Sequence, residues 1–190
     1  MARRRLRATA PPPLAVLFDR DGTLVEDVPY NRDPGLVRPR PGARRALAAL
    51  RAGGIPVAVV TNQSGVGRGL ITREELIRVN RRVEEAVGVV DAWLVCPHRP
   101  LDGCPCRKPK PALLLEAARR LGAPPSRCAM VGDIGADMEA ARTAGVRGVL
   151  VPTPQTRRQE VRRTAETAPD LRSALSKLLA EPAPLPLLSD

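Results

Sequence analysis

Two carboxylates stand two residues apart in Asp19-Arg20-Asp21-Gly22-Thr23, directly after an apolar run. If that run is a strand, its side chains alternate, and Asp19 and Asp21 address one point at its end. Such a pair suits phosphoryl chemistry. One carboxylate attacks phosphorus and the other handles the leaving-group proton. Gly22 lets the chain turn sharply straight afterwards. The competing reading is a plain Asp-Gly turn that closes a strand.

A second cluster runs from Cys96 through His98 to Cys104 and Cys106. It gathers three of the four cysteines and the only histidine within eleven residues. Thiolates and an imidazole at this spacing suit tetrahedral zinc. Pro97, Pro100, Gly103 and Pro105 make the segment a tight loop that a metal can fold. Four protein ligands leave no open position, so the expected zinc is structural. The alternative is a set of unrelated loop cysteines. Cys128 falls in an apolar run and reads as core.

These groups need elements to position them. Continuous apolar runs at 14–18, 57–60, 92–95, 128–131 and 148–151 read as strands buried on both faces. Helical patterns lie between them at 42–51, 72–87, 111–121 and 136–144, with a more polar one at 155–167. Thr72-Arg73-Glu74-Glu75 is a capping-box signature. Pro111 and Gly122 bracket the third helix in the favoured order. Alternating strands and helices predict an α/β fold, a Rossmann-like parallel sheet with helices on both faces. Ligands then bind at the carboxyl ends of the strands, where the acids fall.

The chain has 190 residues, which suits one such domain. Lys and Arg exceed Asp and Glu by 31 to 20, a net charge of +11, which favours anionic partners. Only 2% of residues are aromatic, too few to stack many bases, so nucleic acid is not the expected partner. No apolar run is long enough to span a membrane, and residues 1–13 lack an apolar signal core. The expectation is a cytoplasmic protein with reduced cysteines, acting as a monomer on a phosphorylated small molecule.

Four segments, each at an expected strand end, resemble the ordered motifs of haloacid-dehalogenase (HAD) phosphatases. Asp19-Arg20-Asp21-Gly22-Thr23-Leu24 is similar to the first. Thr61-Asn62-Gln63-Ser64-Gly65 is similar to the second, Cys106-Arg107-Lys108-Pro109 to the third, and Gly132-Asp133 through Asp137 to the fourth. The resemblance implies an aspartyl-phosphate on Asp19 and acid–base work by Asp21. It implies that Thr61 holds the phosphoryl group and that Lys108 neutralises charge. It also implies a catalytic Mg²⁺ on the carboxylates of Asp19 and Asp133 and the backbone carbonyl of Asp21. Asp137 either orients that shell or is an ordinary acid at a helix start.

The zinc loop narrows the resemblance to the capless branch that handles heptose bisphosphates and histidinol phosphate. That branch implies a sugar bisphosphate substrate met by Asp27, Val28, Pro29 and Tyr30, by Asn62, Gln63 and Ser64, and by Arg107. Zinc is expected on Cys96, His98, Cys104 and Cys106. Histidinol phosphate and a nucleic-acid 3′-phosphate are the alternative substrates. The heptose enzymes carry Lys directly after the fourth-motif Asp, where this chain has Ile134. A distal phosphate then falls to Arg107, with Arg38, Arg40 and Arg68 as further candidates. We divide the chain into a disordered basic, Pro-rich tail (1–13), a phosphatase domain (14–167), and a C-terminal segment with a Pro-rich tail (168–190).

Overall fold

The computed structural model describes residues 11–180. The expected tail over residues 1–10 and the Pro-rich stretch 181–190 lie outside the described residues. Pro12 and Pro13, expected in the tail, pack against the fold. Pro13 is buried, and the Pro12 carbonyl accepts from Arg127 at 3.0 Å.

The apolar runs form strands β1 (Ala15–Phe18), β2 (Val57–Asn62), β3 (Ala92–Cys96), β4 (Cys128–Gly132) and β5 (Arg147–Leu150). They pair in parallel in the order β3-β2-β1-β4-β5. The helices are α1 (Ala43–Ala52), α2 (Ser64–Gly67), α3 (Arg73–Val87), α4 (Ala112–Arg120), α5 (Gly135–Ala144), α6 (Arg158–Arg163) and α7 (Leu171–Leu179).

Strand alternation sorts the core into two layers. Val16, Phe18, Val57, Val59, Ala129 and Val131 face α1, α3 and α7. Ala15, Leu17, Ala58, Val60 and Met130 face α4 and α5. Burial on both sides is why the strands read as unbroken apolar runs.

The chain runs outward from β1 to β2 and β3, then crosses back to β4 and β5 on the other side. The strand order therefore reverses between β1 and β4. The crevice at that switch point is where open parallel sheets bind ligands. Asp19 follows β1 there, and Asp133 follows β4.

Local signals explain the helix ends. Thr72 Oγ1 accepts from Glu75 N at 3.1 Å, and Glu75 Oε2 accepts from Thr72 N at 2.8 Å, closing the capping box before α3. α5 stops at Gly145, whose φ of 70° lies in the left-handed region that favours glycine.

The expected helix over 155–167 is a correction: only α6 forms. Leu150 N donates to Glu166 O at 3.0 Å and Leu150 O accepts from Ala168 N at 2.8 Å. Pairing along the edge of β5 outcompetes a weakly apolar helix. α7 packs into the layer beside α1, capped by Asp170, which accepts from Ser173 N at 2.7 Å.

Candidate active site

Three carboxylates meet at the crevice. Oxygen atoms of Asp19, Asp133 and Asp137 all lie within 4.8 Å of one another, and all three residues are buried. One ammonium serves them. Lys108 Nζ donates to Asp19 Oδ1 at 2.7 Å and to Val60 O at 2.7 Å, and lies 2.6 Å from Asp137 Oδ1.

Glycine makes this crowding possible. Gly22 has φ 77°, and a Cβ there would run into the Asp133 carboxylate. A Cβ on Gly132 would strike Asp137 in the same way. Thr23 Oγ1 donates to Asp133 Oδ1 at 3.2 Å, and Thr156 Oγ1 donates to Asp133 O at 2.6 Å. Neither threonine is among the expected site residues. Thr23 lay inside the quoted first motif, whereas nothing local marked Thr156.

The electrostatics follow from burial. Asp19 is pushed up to about 8, chiefly by desolvation; Lys108 opposes the shift, and Asp137, Asp21 and Asp133 reinforce it. Asp133 is pushed up to about 7, again by burial first and then by Asp137. Burial would lower Lys108, but Asp137 and Asp19 outweigh it and hold the lysine above its ordinary value. Asp19 and Asp133 thus resist ionising together despite the lysine. A divalent cation relieves that, and clustered hard oxygens are the donor set Mg²⁺ takes. The acid cluster therefore fits Mg²⁺.

Asp137 faces two partners. Its Oδ2 accepts from Ile134 N at 3.2 Å at the start of α5, and its other oxygen pairs with Lys108.

Asp21 stands beside this group. Its Oδ2 accepts from Gln63 Nε2 at 2.7 Å, and the same amide donates to Thr61 Oγ1 at 2.9 Å. Asn62 clamps the third motif to the second. Its amide donates to Lys108 O at 3.1 Å and its oxygen accepts from Lys108 N at 3.1 Å. Asn62 and Gln63 were expected to meet substrate; here both are engaged with the protein.

The sulfur cluster is equally compact. Cys96 Sγ lies 3.7 Å from His98 Nδ1, 3.6 Å from Cys104 Sγ and 3.2 Å from Cys106 Sγ. Cys106 Sγ lies 3.2 Å from His98 Nδ1 and 3.6 Å from Cys104 Sγ. A tetrahedron with metal–sulfur arms of about 2.3 Å has edges of roughly 3.8 Å. The spacing and the donor set fit zinc, with Nδ1 as the imidazole ligand, and all four cysteines are free thiols. Burial pushes the Cys96 thiol up to about 12, so a thiolate there needs a cation beside it.

The loop is tied to the acids through backbone. Gln63 N donates to Cys96 O at 2.7 Å and Gly67 N to Pro97 O at 2.9 Å. Lys110 Nζ holds Gly103 O at 2.9 Å and Cys104 O at 2.6 Å.

A HAD-hydrolase-like family pattern matches residues 105–176. A curated relative from Mesorhizobium japonicum, named D-glycero-beta-D-manno-heptose-1,7-bisphosphate 7-phosphatase, is 42% identical over 148 residues, covering 72% of this chain and 68% of that one. The chain belongs to the HAD-like phosphatase family. A second relative, the D-glycero-alpha-D-manno-heptose-1,7-bisphosphate 7-phosphatase of Mycobacterium bovis, is 37% identical over 133 residues, covering 66% of this chain and 70% of that one. The crystal structure of D,D-heptose 1,7-bisphosphate phosphatase from B. bronchiseptica, complexed with magnesium and phosphate, superposes with a TM-score of 0.76. It is 31% identical, and the match covers 87% of this chain and 98% of that one.

The outer residues of this HAD-like phosphatase are less tightly drawn together than its acids. Asp27 is exposed; desolvation, then the charge of Asp21, raise its carboxyl while Arg20 opposes. Tyr30, at φ 53°, lays its ring against Gly65. Val28 is half-buried, Pro29 is exposed and Ser64 is half-buried at the start of α2. Arg107 Nη1 donates to His98 O at 3.3 Å, at the rim of the sulfur cluster. Of the candidate arginines, Arg38 is spent on its own loop, donating to Gly35 O at 2.7 Å.

A cavity of about 620 Å³ lies elsewhere, lined by Met138, Arg142, Arg147, Glu160 and Glu166 among others. It contains none of the clustered acids. Among the described residues no helix is long and apolar enough to cross a membrane.

Proposed function

We propose that this phosphatase removes the 7-phosphate of D-glycero-D-manno-heptose 1,7-bisphosphate through an aspartyl-phosphate on Asp19. The observation that carries the reaction is the buried Asp19–Lys108 pair beside Asp133 and Asp137 at the switch point. The substrate is supported by the relatives, which are named for both anomers of that bisphosphate.

In this mechanism an Asp19 oxygen attacks phosphorus and the bond to the leaving sugar oxygen breaks. Asp21 delivers a proton to that oxygen. A water then attacks the aspartyl-phosphate, Asp21 takes its proton, and inorganic phosphate leaves. Thr61 Oγ1 accepts from Gln63, so its own hydroxyl hydrogen is free to donate to a phosphoryl oxygen. Lys108 neutralises the same group, and Asp137 fixes Lys108. Phosphoryl transfer depends on such positioning and charge neutralisation.

Bound Mg²⁺ would add further neutralisation of the phosphoryl oxygens; the carboxylates of Asp19 and Asp133 and the carbonyl of Asp21 would hold it. Zinc on Cys96, His98, Cys104 and Cys106 would fasten the loop that presents Arg107. Asp27, Val28, Pro29, Tyr30 and Ser64 form the sugar side, with Asn62 and Gln63 behind them. We place the enzyme in the cytoplasm, where thiols that are to hold zinc stay reduced.

The test compares kcat/KM for the α and β heptose bisphosphates with that for histidinol phosphate at matched Mg²⁺. A bisphosphate is expected to win. Arg107→Ala then lowers its kcat/KM by about 10- to 100-fold, the worth of one charge-assisted hydrogen bond, and affects a small monophosphate far less. A higher kcat/KM for histidinol phosphate overturns the substrate and leaves the reaction class standing.

A further inference from the structure

Arg20 is 1% exposed, among the largest fully buried side chains, and no step above uses its charge. It stands between the two acids of the first motif. Its Nε donates to Asp21 Oδ1 at 3.0 Å and its Nη2 to Asp21 Oδ2 at 2.9 Å. The remaining nitrogen, Nη1, donates to Asn80 Oδ1 at 2.8 Å, sixty residues away on α3. Among the described residues, Arg20–Asp21 is the sole ion pair of either partner.

The pattern differs from plain charge compensation. A single hydrogen bond leaves a carboxylate free to rotate about its last torsion, which is a broad, soft one. A guanidinium fork grips both oxygens and fixes the plane of the group. Asn80 fixes the fork in turn, and Gln63 adds a third donor at Asp21 Oδ2. An ammonium in place of the guanidinium keeps the charge and loses the fork.

We infer that Arg20 and Asn80 are positioning residues that set the carboxylate plane of Asp21 for proton transfer to the leaving oxygen. This rests on the reading of Asp21 as the acid–base residue. It couples α3, which contributes no group to the reacting atoms, to the orientation of that acid. The dependence is on the leaving group. A good leaving group departs without a proton, whereas a sugar or alkyl oxygen needs one.

The experiment measures kcat/KM, which reports the steps up to phosphorus–oxygen cleavage. It uses p-nitrophenyl phosphate and glycerol 1-phosphate on the Mg²⁺-loaded full chain, for wild type, Arg20→Lys, Asn80→Ala and Asp21→Asn. Positioned proton transfer contributes roughly 10²–10⁴-fold. Misaligning it should lower the alkyl substrate by about 10- to 100-fold in Arg20→Lys and Asn80→Ala, with the aryl substrate within about threefold.

Equal losses on both substrates mean a merely structural role and overturn the inference, as does no loss on either. Asp21→Asn separates the two readings. If it shows no leaving-group split, the acid assignment itself fails. If it shows the split and Asn80→Ala does not, only the positioning role fails. Should Arg20→Lys not fold, Asn80→Ala decides alone, because Asn80 is half-buried and aryl turnover reports a folded site.

Discussion

Replacing Lys108 by Met removes the one ammonium inside the acid cluster while keeping a side chain of similar reach. The lysine holds Asp19 at 2.7 Å and lies 2.6 Å from Asp137. Without it, Asp137 is fully buried and keeps the backbone N–H of Ile134 as its remaining partner. Breaking a buried pair from one side costs about 3–5 kcal/mol, because a charge is left uncompensated. For a chain of this length that is a fall in Tm of roughly 6–20 °C.

Neutralising the other side should return part of the loss. Lys108→Met with Asp137→Asn leaves no orphaned charge at that pair, and coupled neighbours depart from additivity by about 0.5–3 kcal/mol. The assay is thermal unfolding at pH 7.5 after dialysis against magnesium-free buffer, with zinc content measured in parallel. The double variant is expected to be more stable than Lys108→Met, yet still reduced at least about 10²-fold in kcat, because phosphoryl charge has lost its donor. Losses that simply add would refute the account of Lys108 and Asp137 as one interacting unit.

Asp19→Asn should abolish turnover with the fold intact, as judged by activity and circular dichroism; activity within tenfold of wild type would remove the aspartyl-phosphate. The magnesium-free protein should lose stability as pH rises from about 5 to 8. Asp133 and Asp19, raised to about 7 and about 8, keep protons that the unfolded chain has already released, so the folded state is penalised as pH climbs. Added Mg²⁺ should raise Tm more at pH 8 than at pH 6, since protons compete for the same carboxylates; a flat or rising Tm in its absence would count against this. Metal analysis should find about one zinc per chain surviving dialysis that strips magnesium, and Cys104→Ser should lose it together with activity. An ordered, active, zinc-free protein would dispose of that loop's role.

The sheet and the acids were legible because both obey local rules. A strand buried on two faces has to be apolar throughout, as 14–18 and 128–131 are. Asp19 and Asp21 had to fall where such a run stops. The sulfur cluster was legible because its ligands are close in sequence. What escaped were partnerships across long separations. Arg20 looks like a solvated charge until Asn80 and Asp21 are seen to take its nitrogens. Thr156 reads as the first turn of a polar helix until its hydroxyl meets the carbonyl of Asp133. Residues 155–167 carried a weak helical pattern, and nothing nearby announced that the edge of β5 would take Glu166 and Ala168. Asp137 could be read two ways because its two oxygens face different partners.

The place of α7 bears on how the chain is made. Leu171, Ala174, Leu175 and Leu178 complete the layer that also holds Val16, Phe18 and the inner face of α1. During synthesis every residue of the acid cluster has emerged by Asp137, and so has the whole sulfur loop. The layer under α1 and α3 nonetheless stays incomplete until residue 178 is out. The nascent protein thus passes through an interval in which its chemistry is assembled but its core is open, and a chaperone or a protease would meet it there.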